Sequence, residues 1–205
     1  MIAVIDYGAG NIRNVVNAIN KLGYEVNLTS DPDEVLSADI VILPGVGAAG
    51  DTVSSLKKLN LVEPVRRVIA ENKPFMGICI GLQILFTETE EDMGQKCLDV
   101  FPGVVKRFPE GRKIPHMGWN QVNQKISHPV FEGIPDNTNF YFVHSYYVDP
   151  DDKSLIAGTT EYGVEFCSII AEGNVIGTQF HPEKSGDVGL RIYDNFLRYA
   201  ENSRS

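Results

Sequence analysis

The chain has 205 residues, and at roughly 150 residues per domain one compact domain is the expectation. Hydrophobic residues at 43% and charged residues at 22% are enough for a full core and exclude global disorder. Lys and Arg number 18 against 27 Asp and Glu, and the resulting formal charge of -9 repels a phosphate backbone, which argues against nucleic-acid binding.

The sequence opens on Met1-Ile-Ala-Val-Ile-Asp6, an apolar run cut short by an acid with no basic segment before it, so no signal peptide is legible. Ile2, Val4 and Ile5 predict a strand. Ile12, Val15, Val16, Ile19 and Leu22 then fall at helical spacing, closed by Gly23. Residues 24–28 read as a second strand, Ser30-Asp31-Pro32 as a turn, and 40–43 as a third strand. Helical sequence follows around 51–59 and 62–70, then a strand at 75–78. Strands alternating with helices imply a mostly parallel central sheet covered on both faces, an α/β fold. Between Gly103 and Gln179 the texture turns β-rich, with runs at 140–148, 164–170 and 175–180 joined by Gly- and Asn-containing turns, which predicts antiparallel β additions in the second half. A last helix carries Ile192, Tyr193, Phe196, Leu197 and Ala200 on one stripe and is expected to cap the sheet. The longest uncharged apolar stretches, 40–49 and 74–86, fall short of the roughly 18 residues that cross a bilayer, so no membrane partner is expected. The three cysteines, Cys79, Cys97 and Cys167, include no Cys-x-x-Cys pair, predict neither a disulfide framework nor a metal site, and suit a reducing cytoplasm.

The most informative stretch is Phe75-Met-Gly77-Ile-Cys79-Ile-Gly81-Leu-Gln83, a strand running into a helix through Gly-x-Cys-x-Gly. That is the form of a nucleophile elbow, whose flanking glycines leave room for a sharp, close-packed turn. The thiol of Cys79 would then sit at a helix N-terminus, where the macrodipole and free N–H groups favour thiolate. The plainer alternative is a small core hydrophobe, and that is the expectation for Cys97 and Cys167. A thiolate nucleophile needs a base that also protonates its leaving group, and the candidates are His116, His128, His144 and His181. In His181-Pro182-Glu183 the proline favours extended backbone at the histidine, so that residues two apart share a side and Glu183 can orient the ring. His128-Pro129 has the same backbone logic but Val130 where a carboxylate would be needed.

Together these motifs resemble class I, or triad, glutamine amidotransferases, which carry Gly-x-Cys-x-Gly-x-Gln and a later His-Pro-Glu. The likeness runs along the whole chain. Asp6-Tyr-Gly-Ala-Gly-Asn11, Pro44-Gly-Val-Gly47 and Pro115-His-Met-Gly-Trp-Asn120 are similar to the glutaminase subunits of imidazole glycerol phosphate synthases in histidine biosynthesis. The resemblance implies a single flavodoxin-like domain over residues 1–205 that hydrolyses L-glutamine to glutamate and ammonia with no cofactor. It assigns Cys79, His181 and Glu183 as the triad, the N–H groups of Val46 and Ile80 as the oxyanion hole, and Gly45, Gly47, Gln83, Ser145 and Tyr146 as glutamine contacts. It also implies a heterodimer with a cyclase subunit. A phosphate-binding TIM barrel takes about 250 residues, more than this whole chain, so that synthase must be a separate polypeptide. Trp119, the only tryptophan, is the expected interface residue, with a core position as its alternative. The family commonly has Leu and Ser where Ile12 and Asn14 stand, expected to be surface or packing positions.

Other classes fare less well. Gly45-Val-Gly47-Ala-Ala-Gly50 spells a dinucleotide-binding Gly-x-Gly-x-x-Gly, but it follows the third strand rather than the first, and no acid ends a strand about 20 residues on. Gly8-Ala-Gly10 follows the first strand but has Arg13 at the third glycine position. Cysteine peptidases or stand-alone amidases lack Gln83 and His-Pro-Glu in this arrangement. The glutaminase of pyridoxal phosphate synthase shares the triad but not residues 7–11 and 115–120, and an inactive glutamine sensor would lack a triad member.

Overall fold

The computed structural model describes residues 1–8 and 10–203; Ala9, inside the Asp6–Asn11 motif, and Arg204 and Ser205, at the end of the expected domain, lie outside the described residues. The first half runs β1 (Ile2–Ile5), α1 (Ile12–Lys21), β2 (Val26–Thr29), α2 (Pro32–Ser37), β3 (Ile40–Leu43), α3 (Ala49–Lys58), α4 (Val62–Ala70), β4 (Phe75–Ile78) and α5 (Ile80–Gln83). The second half is β5 (Phe86–Thr89), β6 (Gln95–Lys96), β7 (Phe101–Arg107), β8 (His116–Gln124), β9 (Thr138–His144), β10 (Tyr146–Pro150), β11 (Ile156–Glu161), β12 (Glu165–Glu172), β13 (Val175–Thr178) and α6 (Gly186–Asn202).

The centre of the sheet is parallel in the order β2-β1-β3-β4-β13. This is the 2-1-3-4-5 order of flavodoxin-like folds, with β13 returning from the far end of the chain to take the fifth place. Every residue of β1, β3, β4 and β13 is buried, because alternate side chains feed two cores. Val4, Ile42, Ile78 and Ile176 pack with α1 and with Ile192, Phe196 and Leu197 of α6. Ala3, Ile5, Val41 and Leu43 pack with Val53 and Leu56 of α3 and Val65 and Val68 of α4. The last helix therefore covers one sheet face, as its stripe requires. Beyond β13 the sheet continues antiparallel through β12, β10 and β7, while β8 and β9 pair as a hairpin that branches from it through β11 and β12.

Three expectations are corrected. Ser30-Asp31-Pro32 is the entrance to α2: an Asp31 carboxylate oxygen accepts the Asp33 N–H at 2.8 Å and Pro32 takes the first helical position. The helix after Cys79 is a single turn that gives way to β5 three residues after Gln83, too short for a macrodipole of consequence. The 140–148 run is two strands, broken at Ser145, where the chain leaves the β8–β9 hairpin and joins the main sheet. None of the described helices is long and apolar enough to cross a membrane.

Candidate active site

The carboxyl ends of β1, β3, β4 and β13 deliver Asn11, Val46, Cys79 and His181 to one cavity of about 550 Å³. Open α/β sheets bind ligands at this end. A larger cavity of about 760 Å³, between Arg66, Asn72, Asp99 and Glu172, lies at the amino ends of β4 and β13 and is lined by no cysteine, serine or histidine.

Cys79 takes φ 53° and ψ -105° at the head of α5, a conformation sterically costly for a residue with a Cβ. Its N–H donates to the Thr178 carbonyl at 2.7 Å, and its carbonyl accepts from Leu82 and Gln83 at 3.1 and 3.0 Å. The glycines let this turn close on its neighbours. A Cβ at Gly77 would stand 2.6 Å from the Gly81 carbonyl oxygen, a Cβ at Gly81 would run into the Leu43 carbonyl, and one at Gly45 would stand 2.7 Å from the Tyr7 hydroxyl and 2.9 Å from Ile80.

His181 is buried at 1% side-chain exposure, and its Nδ1 lies 2.7 Å from an oxygen of the fully buried Glu183 carboxylate. Pro182 follows His181, whose φ of -100° and ψ of 99° are extended, before the short helical turn Pro182–Lys184 brings Glu183 back beside the ring. Glu183 is itself held: Asn11 Nδ2 donates to Oε1, and the Tyr193 hydroxyl to Oε2 at 3.3 Å. Burial pushes the Tyr193 phenol well above its ordinary range, so it stays a donor. Nε2 of His181 is buried and makes no hydrogen bond of regular geometry. Burial alone would lower the His181 pKa, but the charge of the Cys79 sulfur, followed by contact with it and by Glu183, outweighs burial and raises the pKa to about 10. The arrangement holds a charged imidazolium against a sulfur.

Of the predicted glutamine contacts, Gly47, Gln83, Ser145 and Tyr146 line the cavity, as do Val46 and Ile80. Gly45 is not among the lining residues; it packs behind the wall against Tyr7 and Ile80. Gly47 is a glycine for its φ of 101°. The Ile80 N–H occupies the first helical position, where no intrahelical acceptor exists. Trp119 does not line the cavity. It is 56% exposed, edge-on to Tyr141 and near Met117 at 60%, which removes the core alternative.

The remaining histidines and cysteines are accounted for elsewhere. His116 and His144 hydrogen-bond to each other at 2.9 Å, and burial lowers their pKa values to about 4 and about 3. His128 Nδ1 accepts the Val130 N–H at 3.1 Å and starts a short helical turn. Burial raises the Cys97 and Cys167 thiols to about 11 and about 12. Among the described residues no cluster of three or more His, Cys, Asp or Glu is placed to hold a metal ion.

Four further residues enter the site. Gln179 Nε2 donates to the Cys79 sulfur at 3.6 Å, while its Oε1 accepts from Gln83 Nε2 at 3.0 Å. Its position two residues before His181 on extended sequence was a usable signal, since such residues share a face. Glu91 lines the cavity, and its carboxylate accepts the Ala49 N–H at 2.7 Å, just after the Val46–Gly47 loop. Lys184 also lines the cavity. Asn14 is exposed, as expected, yet its amide donates to Asn11 Oδ1 at 2.7 Å, one bond behind Glu183. Nothing in the sequence marked Glu91, and Asn14 read only as a surface or packing position, because their links to the site come from distant segments or through a second residue.

The family model described as "Glutamine amidotransferase class-I" matches residues 3–199. Curated relatives named "Imidazole glycerol phosphate synthase subunit HisH" include one from Dehalococcoides mccartyi (strain CBDB1), 56% identical over 98% of this chain and 98% of its own. Another, from Geobacter sulfurreducens, is 51% identical over 95% and 97%. Among solved structures, one described as "Crystal structure of glutamine amidotransferase" superposes with a TM-score of 0.77 at 19% identity, covering 98% of this chain and 100% of that one, a likeness of fold.

Proposed function

Because the chain belongs to the class-I glutamine amidotransferase family, we propose that it is the glutaminase subunit of an imidazole glycerol phosphate synthase. It hydrolyses L-glutamine and passes the ammonia to a separate cyclase subunit of TIM-barrel fold in the cytoplasm. The observation that carries the reading is the buried His181–Glu183 pair with an unpartnered Nε2 beside a cysteine on a positive-φ elbow.

The Cys79 thiolate adds to the side-chain carbonyl carbon of glutamine, and the electron pair moves to oxygen. That oxyanion is met by the Ile80 N–H and by one from the Val46–Gly47 loop. Imidazolium at His181 gives its Nε2 proton to the leaving nitrogen, ammonia departs and a glutamyl thioester remains. Water, deprotonated by the now neutral imidazole, adds to the thioester and releases glutamate and the thiolate. Glu183 keeps the Nδ1 proton in place throughout. The glutamine α-ammonium is matched by acceptors: both N–H groups of Gln83 are engaged, by the Tyr146 carbonyl at 2.8 Å and by Gln179, so Gln83 turns its Oε1 outward, and Glu91 adds a carboxylate.

Ammonia set free in water would be protonated and lost as a nucleophile, which is the physical reason for a docked second catalyst. The relatives' shared name favours the histidine pathway over pyridoxal phosphate synthesis. The test is glutamate release from glutamine with and without a candidate cyclase. Wild type is expected to release glutamate and Cys79→Ala to lose about 10³-fold or more; equal activity of the two would refute the assignment.

A further inference from the structure

One wall of the cavity that Cys79 lines is the break at Ser145, flanked by His144 and Tyr146. Strand pairing reaches His144 from one side, opposite His116, and Tyr146 from the other, opposite Arg107, and both peptide planes beside the Tyr146 Cα are pinned. The Ser145 carbonyl accepts the Phe108 N–H at 3.2 Å. The Tyr146 carbonyl takes two bonds, from Gln83 Nε2 at 2.8 Å and from His144 Nδ1 at 2.7 Å.

That second bond is the end of a chain whose direction is determined from both sides. A carbonyl only accepts, so His144 carries its proton on Nδ1 and, when neutral, leaves Nε2 as an acceptor. His116 Nδ1, 2.9 Å away, must then be the donor, which leaves His116 Nε2 to accept from Asn120 Nδ2 at 3.2 Å. The Asn120 amide is oriented independently: Nδ2 donates to the Glu161 carbonyl at 2.9 Å and Oδ1 accepts the Gln121 N–H at 2.8 Å. Both ends demand the same tautomer at both rings. The rings sit in an aromatic box, His116 stacked on Tyr162 at 4.0 Å and on Phe142 at 5.0 Å, His144 edge-on to Phe108 at 5.1 Å. Burial there keeps both imidazoles uncharged.

We infer that His116 and His144 are positioning residues for the glutamine pocket: the one-way chain Asn120 to His116 to His144 to the Tyr146 carbonyl fixes the Ser145 junction in the shape that receives the substrate's amino-acid end. The inference rests on the glutaminase reading and adds to it a pair that touches neither the sulfur nor its base. The chain starts on β8, one residue beyond exposed Trp119, so a protein covering that strand would bear on the pocket through it.

Two measurements on the full chain test this. Nitrogen-15 NMR of the wild-type imidazoles is expected to find both rings as neutral Nδ1–H tautomers at pH 6; a proton on Nε2 of His144 would break the chain and overturn the proposal. Labelling of Cys79 by a chloromethyl-ketone analogue of glutamine, in which a sulfur–carbon bond forms as chloride leaves, is compared with labelling by iodoacetamide, which has no amino-acid end. His144→Phe keeps the ring packing and loses the donor. It is expected to raise the half-saturating analogue concentration about tenfold, with the limiting rate and the iodoacetamide rate within about twofold of wild type. His144→Asn, which returns an amide donor near Nδ1, is expected to restore most of the loss. An unchanged half-saturating concentration in His144→Phe, a parallel fall of every rate, or no rescue by Asn would each refute positioning. If wild type reacts with iodoacetamide but never saturates with the analogue, the glutamine reading fails instead, and the tautomers still report on the chain.

Discussion

Glu183→Gln separates what the buried carboxylate does by its shape from what it does by its charge. A glutamine carboxamide can keep the existing geometry: its oxygen accepts from His181 Nδ1 and Asn11 Nδ2 where Oε1 does now, and its nitrogen faces the Tyr193 hydroxyl, which can turn to accept. Leucine would strand three buried donors at about 1–3 kcal/mol each and report on folding instead of catalysis. What glutamine removes is the charge, and the difference between a charge-assisted and a neutral hydrogen bond is about 1–2 kcal/mol, or about 5- to 30-fold in rate. The loss should appear in kcat for glutamate release with KM little changed, because Glu183 faces the imidazole and not the cavity. It should also grow with pH. In the proposed reaction the imidazolium is the proton donor, and removing a negative neighbour lowers its pKa from about 10. Stability follows the same sign. A histidine whose folded pKa is raised above 6.5 contributes stability in full below pH 6.5 and loses it as pH passes about 10. The wild-type advantage over the variant in urea midpoint is therefore largest near pH 6 and shrinks through pH 10. A kcat equal to wild type from pH 6.5 to 9 would refute the idea that Glu183 acts by charge.

Gly81→Ala places a Cβ against the Leu43 carbonyl, and backbone cannot yield as a flexible side chain would. A urea titration should show a loss of about 1–3 kcal/mol together with loss of Cys79 alkylation; native stability would mean the elbow tolerates more space than the packing implies. Trp119→Ala, at a site 56% exposed, should change stability by less than about 0.5 kcal/mol. It should nevertheless weaken binding to the cyclase by about 2 kcal/mol or more in calorimetry, and unchanged affinity would remove Trp119 from the interface. The isolated chain should hydrolyse glutamine slowly and accelerate when the cyclase binds its nucleotide, since in the proposed reaction the loop at Gly47 must present an N–H to the oxyanion; full activity alone would contradict this.

The parallel half of the fold was legible because its strands are buried on both faces and its helices bury one, so strand at 40–43 and helix at 62–70 show different periods. The boundaries that slipped are set by contacts distant in sequence. Asp31 and Pro32 are favoured in turns and at helix starts alike, and only the Val35 contact with the core decides between them. The 140–148 run has no proline or glycine to punctuate it, so its division at Ser145 is set by which strand each half pairs with, a non-local fact. In the site, Cys79, His181 and Glu183 were legible because their spacing constrains backbone on its own. Glu91 and Asn11 reach the cavity through the topology, and the Cβ side of Gly45 packs against Tyr7 and Ile80, which its motif, silent on the side of the loop that faces the cavity, did not tell.

The break at Ser145 and the elbow at Cys79 solve one problem from opposite sides. A parallel sheet can bring backbone N–H groups to its carboxyl edge only where strands end, and β4 ends by forcing a residue into positive φ. The facing wall must come from a strand that runs on, and a continuous strand spends its polar backbone groups on its neighbours. Changing partner strands at Ser145, from β8 to β7, leaves the Tyr146 carbonyl to side-chain donors at the cavity. The side chains that do hold it, His144 and Gln83, are fixed in turn by His116 and by Gln179, and Gln179 reaches back to the Cys79 sulfur. The wall and the Cys79 sulfur are thus tied through the single carbonyl of Tyr146. Loosening either side chain bonded to that carbonyl should therefore degrade substrate affinity first, and only loss of Gln179 should reach the sulfur directly.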